Sequence, residues 1–189
     1  SMRHLLPCIY CRRSYTSYIK ELPIQKFLDE QNIFEWSYHI HNKVNKKLRS
    51  QGYLMNRDPS ISYAYNKYKK CAHRHKKRLC GWTFLYCIAL NYPSRSCDLS
   101  EIRYNAHIDF FESLSHILCG VLKDKYKKYI ERYPIEKSLK TRESFALWLH
   151  RLEKCIKGKC CSFKTKCDLI EKYRVDKCAG KTCRRSVKK

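Results

Sequence analysis

Apolar residues recur along most of this chain every three or four positions, the period of a helix rather than of a strand. Between residues 104 and 118, Ile108, Phe111, Leu114 and Leu118 fall at such spacing. The same pattern predicts helices near 8–21, 25–31 and 32–50, with Asn32 as the N-cap of the third and Gly52 as its breaker. Asp58-Pro59-Ser60 reads as a turn opening a short helix that runs to about Tyr68. Gly81 to Pro93 reads as another helix, ended by Pro93, which has no amide hydrogen and clashes with the preceding turn. No apolar stretch approaches the ~20 residues needed to cross a bilayer. The expectation is an all-α fold.

Composition adds a core and a charge. The 189 residues are 43% hydrophobic, with 15 Tyr, 7 Phe and 3 Trp, and contain only 5 Gly and 5 Pro, which argues against a β-rich or disordered chain. Lys and Arg number 41 against 17 Asp and Glu, a net charge of +24. Such a chain attracts nucleic acid, anionic lipid or acidic proteins. Its lysines are spread rather than gathered, so a basic Cys/His-rich module that binds nucleic acid or scaffolds a partner is the alternative function. Thirteen Cys with no visible signal peptide point to metal binding, redox chemistry or locally made disulfides.

The chain matches itself at an offset of 111. Cys8 pairs with Cys119, Tyr15 with Tyr126, Tyr18 with Tyr129, Pro23-Ile24 with Pro134-Ile135, Leu28 with Leu139, Phe34 with Phe145, and His39 with His150. We read a duplication. The copies differ where chemistry would sit: Cys11 becomes Leu122, and His41, Asn42 and Asn45 become Leu152, Glu153 and Ile156. The expected organisation is a redox bundle at 1–70, a basic connector at 71–80, a degenerate bundle at 81–157 and a Lys/Cys-rich tail at 158–189.

Two motifs carry candidate chemistry. Cys8-Ile9-Tyr10-Cys11 opens a helix behind Pro7, where the helix dipole with Arg12 and Arg13 favours thiolate. The pair reads as a redox dithiol, half of a zinc site, or inert core cysteines. His41 and Asn45 are four residues apart on a predicted helix, with Asn42 on the same side. That face suits a flat polar cofactor, or is simply solvated. Cys71, His73, His75 and Cys80 are too cramped and too surrounded by cations to be assigned a metal. Cys160, Cys161, Cys167, Cys178 and Cys183 in the tail offer either disulfide staples or an electron relay.

Together, Cys8–Cys11 and His41-Asn42-x-x-Asn45 resemble the active half of the Erv/ALR family of FAD-linked sulfhydryl oxidases. Trp82 and Tyr92-Pro93 resemble that family's first helix, with Tyr86 in place of its usual His. The resemblance implies a helical bundle, FAD as cofactor contacted by His41, Asn42 and Asn45, and Cys8 and Cys11 as the catalytic pair, with Cys11 nearer the flavin. It implies protein thiols as substrates and oxygen as electron acceptor. A lysine-rich, duplicated chain further resembles the oxidases of large cytoplasmic DNA viruses, which implies the host cytoplasm or the virion. Nucleic acid on the basic surface and a homodimer remain open as partners. Two helices that should precede Cys8 are missing from the first copy. Either the chain is a fragment of a longer protein or helices 81–118 complete the active bundle.

Overall fold

The computed structural model describes residues 2–6, 8–75, 79, 81–93 and 101–171, the side chains of 71–75 excepted. Among them the elements are α1 (Met2–Leu5), α2 (Ile9–Glu21), α3 (Gln25–Asp29), α4 (Ile33–Ser50), α5 (Ile61–His75), α6 (Trp82–Leu90), α7 (Glu101–Ile117), α8 (Gly120–Arg132), a 3₁₀ turn (Ile135–Ser138), α9 (Arg142–Lys157) and α10 (Phe163–Ile170). The all-α expectation is borne out, with no strand among the described residues. The described residues fall into two compact units, one within Ser1–Cys8 and Lys77–Cys178, the other within Ile9–Lys76.

In the smaller unit α4 is the spine, packed on α2, α3 and α5. It starts as its sequence requires: Asn32 Oδ1 accepts from the Glu35 amide at 3.3 Å, satisfying a donor that has no intrahelical partner. It stops at a Schellman turn, in which the amide of Tyr53 donates to Leu48 O and that of Gly52 to Arg49 O, both at 2.9 Å. Gly52 holds φ at +72°, a conformation costly for any residue with a Cβ. Lys43 Nζ reaches Glu21 at 2.7 Å, Lys47 Nζ reaches Ser14 Oγ at 2.8 Å, and the Trp36 indole donates to Leu22 O at 3.0 Å. Core is scarce here. Phe27, Ile40 and Ala64 are its buried residues among those described.

The larger unit is built around α9, which packs on α6, α8 and α10. Its core joins Trp82, Tyr86, Tyr92, Phe111, Tyr126, Tyr129, Phe145, Trp148 and Leu149, with Leu5 of α1 and Ile170 of α10. Burial of so many aromatics would be costly without partners for their polar ends. For three of them the partner is a backbone carbonyl: Tyr92 Oη donates to Leu139 O at 2.9 Å, Tyr129 Oη to Trp148 O at 2.9 Å, and Trp148 Nε1 to Tyr133 O at 2.8 Å. Thr141 and Ser144 form a reciprocal capping box that starts α9. Segment 163–170, read from sequence as part of a tail, is a helix docked into this core through Ile170.

A tryptophan-to-carbonyl bond occurs in each unit at nearly the spacing of the internal match. Leu22 and Tyr133, the two acceptors, are 111 apart, whereas Trp36 and Trp148, the two donors, are 112 apart. The neighbouring pairs Phe34–Phe145 and His39–His150 keep the spacing of 111.

Candidate functional site

One face of α4 and one face of α5 enclose a groove of about 460 Å³. From α4 come Phe34, Ser37, Tyr38, His41, Asn42 and Asn45; from α5 and its approach come Pro59, Tyr63, Ala64, Lys67 and Tyr68. The spacing explains the gathering, since residues three, four, seven and eight apart share a helical face. Ala64 is small and buried between the helices, which lets the aromatic side chains around it form walls. Phe34 meets Tyr65 edge-on at 5.3 Å and Tyr68 at 6.2 Å.

His41, Asn42 and Asn45, expected together from sequence, do line one site. His39 does not; it turns to Glu35 at 3.5 Å. Sequence reading missed the opposite wall. Tyr63 and Lys67 are one helical turn apart, as are Ala64 and Tyr68, a periodicity readable within the helix expected to run to about Tyr68. Asp58 was missed as well. It accepts from Asn45 Nδ2 at 2.7 Å and from Arg49 Nη1 at 3.0 Å. The Arg49 guanidinium holds its carboxyl below the usual carboxylate range.

Cys8 immediately precedes α2 and is fully buried; Cys11 lies in the first turn of α2 and is half-buried. Neither lines the groove. Pro7, the side chains of Cys71, His73 and His75, and Cys80, Cys178 and Cys183 lie outside the described residues. Among those described, no group of three or more His, Cys, Asp or Glu is placed to hold a metal, and no helix is long and apolar enough to cross a membrane.

The larger unit holds a buried polar cluster of its own. Glu153, 1% exposed, accepts from Tyr86 Oη at 2.8 Å and pairs with Lys166 at 3.0 Å and with Lys157. Burial alone would raise the Glu153 acid, but hydrogen bonds from Lys157, Lys166 and Tyr86 outweigh it and hold the group below its ordinary value. Lys157 lies over the Trp82 ring at 5.3 Å and Lys166 over Tyr86 at 5.1 Å. Cys160 and Cys161 are thiols beside His150, with Cys160 Sγ 3.3 Å and the Cys161 carbonyl 2.9 Å from Nε2. A nitrogen that donates to that carbonyl cannot take the Cys160 proton, and burial pushes this thiol up.

Residues 1–66 match the model of the Erv1 / Alr family, so the resemblance expected from the two motifs is borne out for that segment. A curated relative, the "Probable FAD-linked sulfhydryl oxidase R368" of Acanthamoeba polyphaga mimivirus, is 33% identical over 70 residues, covering 36% of this chain and 47% of the relative. The chain thus spans about half the length of the curated relative it matches. No solved structure matches it.

The groove suits the nucleotide part of a flavin dinucleotide. Its walls are aromatic, its floor carries amide and imidazole groups that can meet a purine edge, and Lys67 supplies a cation for phosphate.

Proposed function

We propose that this chain is the thiol-oxidising part of an FAD-dependent sulfhydryl oxidase, forming disulfides in protein substrates with oxygen as the electron acceptor. The observation that carries the proposal is the single groove gathering His41, Asn42 and Asn45 under an aromatic wall. The family match over 1–66 and the viral relative support it. His41, Asn42, Asn45 and Lys67 would hold the FAD. Bound there, FAD supplies a two-electron sink between a dithiol and oxygen.

The protein's own chemistry is thiol–disulfide exchange at Cys8 and Cys11. A substrate thiolate attacks one sulfur of the Cys8–Cys11 disulfide and displaces the other as thiolate. A second substrate thiol then resolves the mixed disulfide, so the substrate leaves oxidised and the pair is left reduced. Two electrons and two protons pass on, and one oxygen becomes one hydrogen peroxide. Arg12 and Arg13, next in sequence to Cys11, favour the thiolate form.

We assign the larger unit, a diverged duplicate of the first, a structural or partner-binding role, because the internal match sets Leu152, Glu153 and Ile156 against His41, Asn42 and Asn45. The relative's viral source favours the host cytoplasm or virion as the place of action. A second reading has one observation behind it: Tyr63, Tyr65 and Tyr68 are exposed on α5 among Lys67, Lys69 and Lys70, an arrangement that also stacks and neutralises single-stranded nucleic acid.

The test is to saturate the chain with FAD and follow oxygen uptake with a small dithiol. Wild type should turn yellow and consume oxygen, while Cys11→Ser should keep the bound flavin and lose the turnover. Oxygen uptake at the wild-type rate in that variant would sink the assignment. A colourless protein that instead binds oligonucleotide in a salt-sensitive way would favour the second reading.

A further inference from the structure

The turn after α4 is fastened to the helix on both sides of Asp58. Arg49 donates to Asp58 through both terminal nitrogens, and its Nη1 also donates to the Asn56 carbonyl at 3.2 Å. One residue further on, Tyr38 Oη donates to the Pro59 carbonyl at 2.7 Å. Asp58, with 19% of its side chain exposed, is thereby set against Asn45, whose Nδ2 donates to Asp58 Oδ1 at 2.7 Å.

An asparagine amide has a donor end and an acceptor end, and either can meet a ligand. A carboxylate accepts only, so Asp58 can engage only the Nδ2 end. With that donor engaged the amide cannot flip, so its carbonyl oxygen, and the one Nδ2 hydrogen left beside it, stay fixed in place. An acceptor there matches the 6-amino group of adenine. A 6-oxo purine seated the same way would set one acceptor against another.

We infer that Asp58 is a positioning residue that fixes the amide of Asn45 and so selects a 6-aminopurine nucleotide over its 6-oxo counterpart. The inference deepens the reading of the groove as a flavin-nucleotide site and rests on it. Arg49 holds Asp58 in place, and the shape of the turn from Asn56 to Pro59 is what lets a residue outside the groove act on one inside it.

The experiment is calorimetric titration of the full chain with ADP, IDP and FAD. Wild type should bind ADP about tenfold more tightly than IDP, the effect of one hydrogen bond. Asp58→Ala should bring that ratio close to one, chiefly by weakening ADP. Asp58→Asn, which keeps an acceptor for Asn45, should retain most of the preference. Should Asp58→Ala fail to fold by circular dichroism, Asp58→Ser carries the same expectation, since a hydroxyl donates as readily as it accepts. Undiminished selectivity in the folded Ala or Ser variant overturns the role, as does wild-type binding with no preference, or loss in Asp58→Asn as complete as in Asp58→Ala. Failure of wild type to bind either ADP or FAD overturns the nucleotide reading of the groove itself, and the role of Asp58 with it.

Discussion

Replacing Asn45 by isoleucine would leave the α4–α5 groove with a methyl where it now has an amide, and would leave Asp58 with one donor fewer. Loss of one such group costs about 1–3 kcal/mol, so FAD affinity should fall by roughly tenfold or more in an equilibrium titration. Unchanged affinity would place the nucleotide elsewhere. A second residue makes a prediction about pH. His107 is 1% exposed, packed edge-on against Tyr92 at 5.0 Å, and its Nδ1–H donates to Arg103 O at 2.6 Å. Burial pushes its pKa down from 6.5 to about 4. The unfolded chain therefore binds the proton more readily, and stability should be level above about pH 6.5 and fall on acidification toward pH 4, by up to about 3 kcal/mol. Denaturant melts of His107→Gln should lose this part of the slope. The faces of His41, Asn42 and Asn45 were legible in their spacing because a helix converts spacing into direction. Asp58 was not, because a turn does not.

At the scale of elements, the helix limits that carry a cap were readable to within a residue or two. Asn32 and Gly52 bound α4 as expected, because each satisfies or permits a specific backbone conformation. Helix α5 runs on to His75, past the expected stop near Tyr68, since a run of Lys and Arg does not itself end a helix. Helix α10 was missed altogether. Its sequence FKTKCDLI reads as tail, and it becomes a core element only where Ile170 meets the larger unit and Lys166 meets Glu153. Trp148 tests the packing of α9. Its ring lies 5.5 Å from Phe111 and 5.6 Å from Tyr129, and its indole N–H is spent on Tyr133 O. Trp148→Ala should cost about 3–5 kcal/mol, read as a lowered midpoint in a chemical melt with helicity retained in the native baseline. A loss below about 1 kcal/mol would mean the ring is not part of the core.

At the scale of the molecule, apolar burial is unevenly shared. The core of the larger unit is continuous and aromatic, whereas the smaller unit buries Phe27, Ile40 and Ala64 among its described residues and leaves Ile9, Ile33 and Tyr65 exposed. Stability follows buried apolar area, so the two should part company when separated. A fragment of residues 77–178 should melt cooperatively and stay colourless with FAD, because the internal match sets Leu152, Glu153 and Ile156 against His41, Asn42 and Asn45. A fragment of residues 9–76 should show weak, non-cooperative helix loss on heating. A yellow, FAD-saturable 77–178 fragment would overturn the view of the larger unit as a diverged copy without cofactor.

Helical class, the caps of α4, the internal match and the polar face of His41, Asn42 and Asn45 were determined by the sequence alone. Each depends on local backbone preference or on a fixed 3.6-residue period, and both act over a few neighbouring positions. Tertiary structure alone decided the far wall of the groove, the tie between Asn45 and Asp58, and the burial of Glu153 against Lys166 and Tyr86. These pairs are brought together by turns and by packing between helices. Such contacts join positions 13 to 67 apart in the chain, and no periodic signal connects residues across those distances.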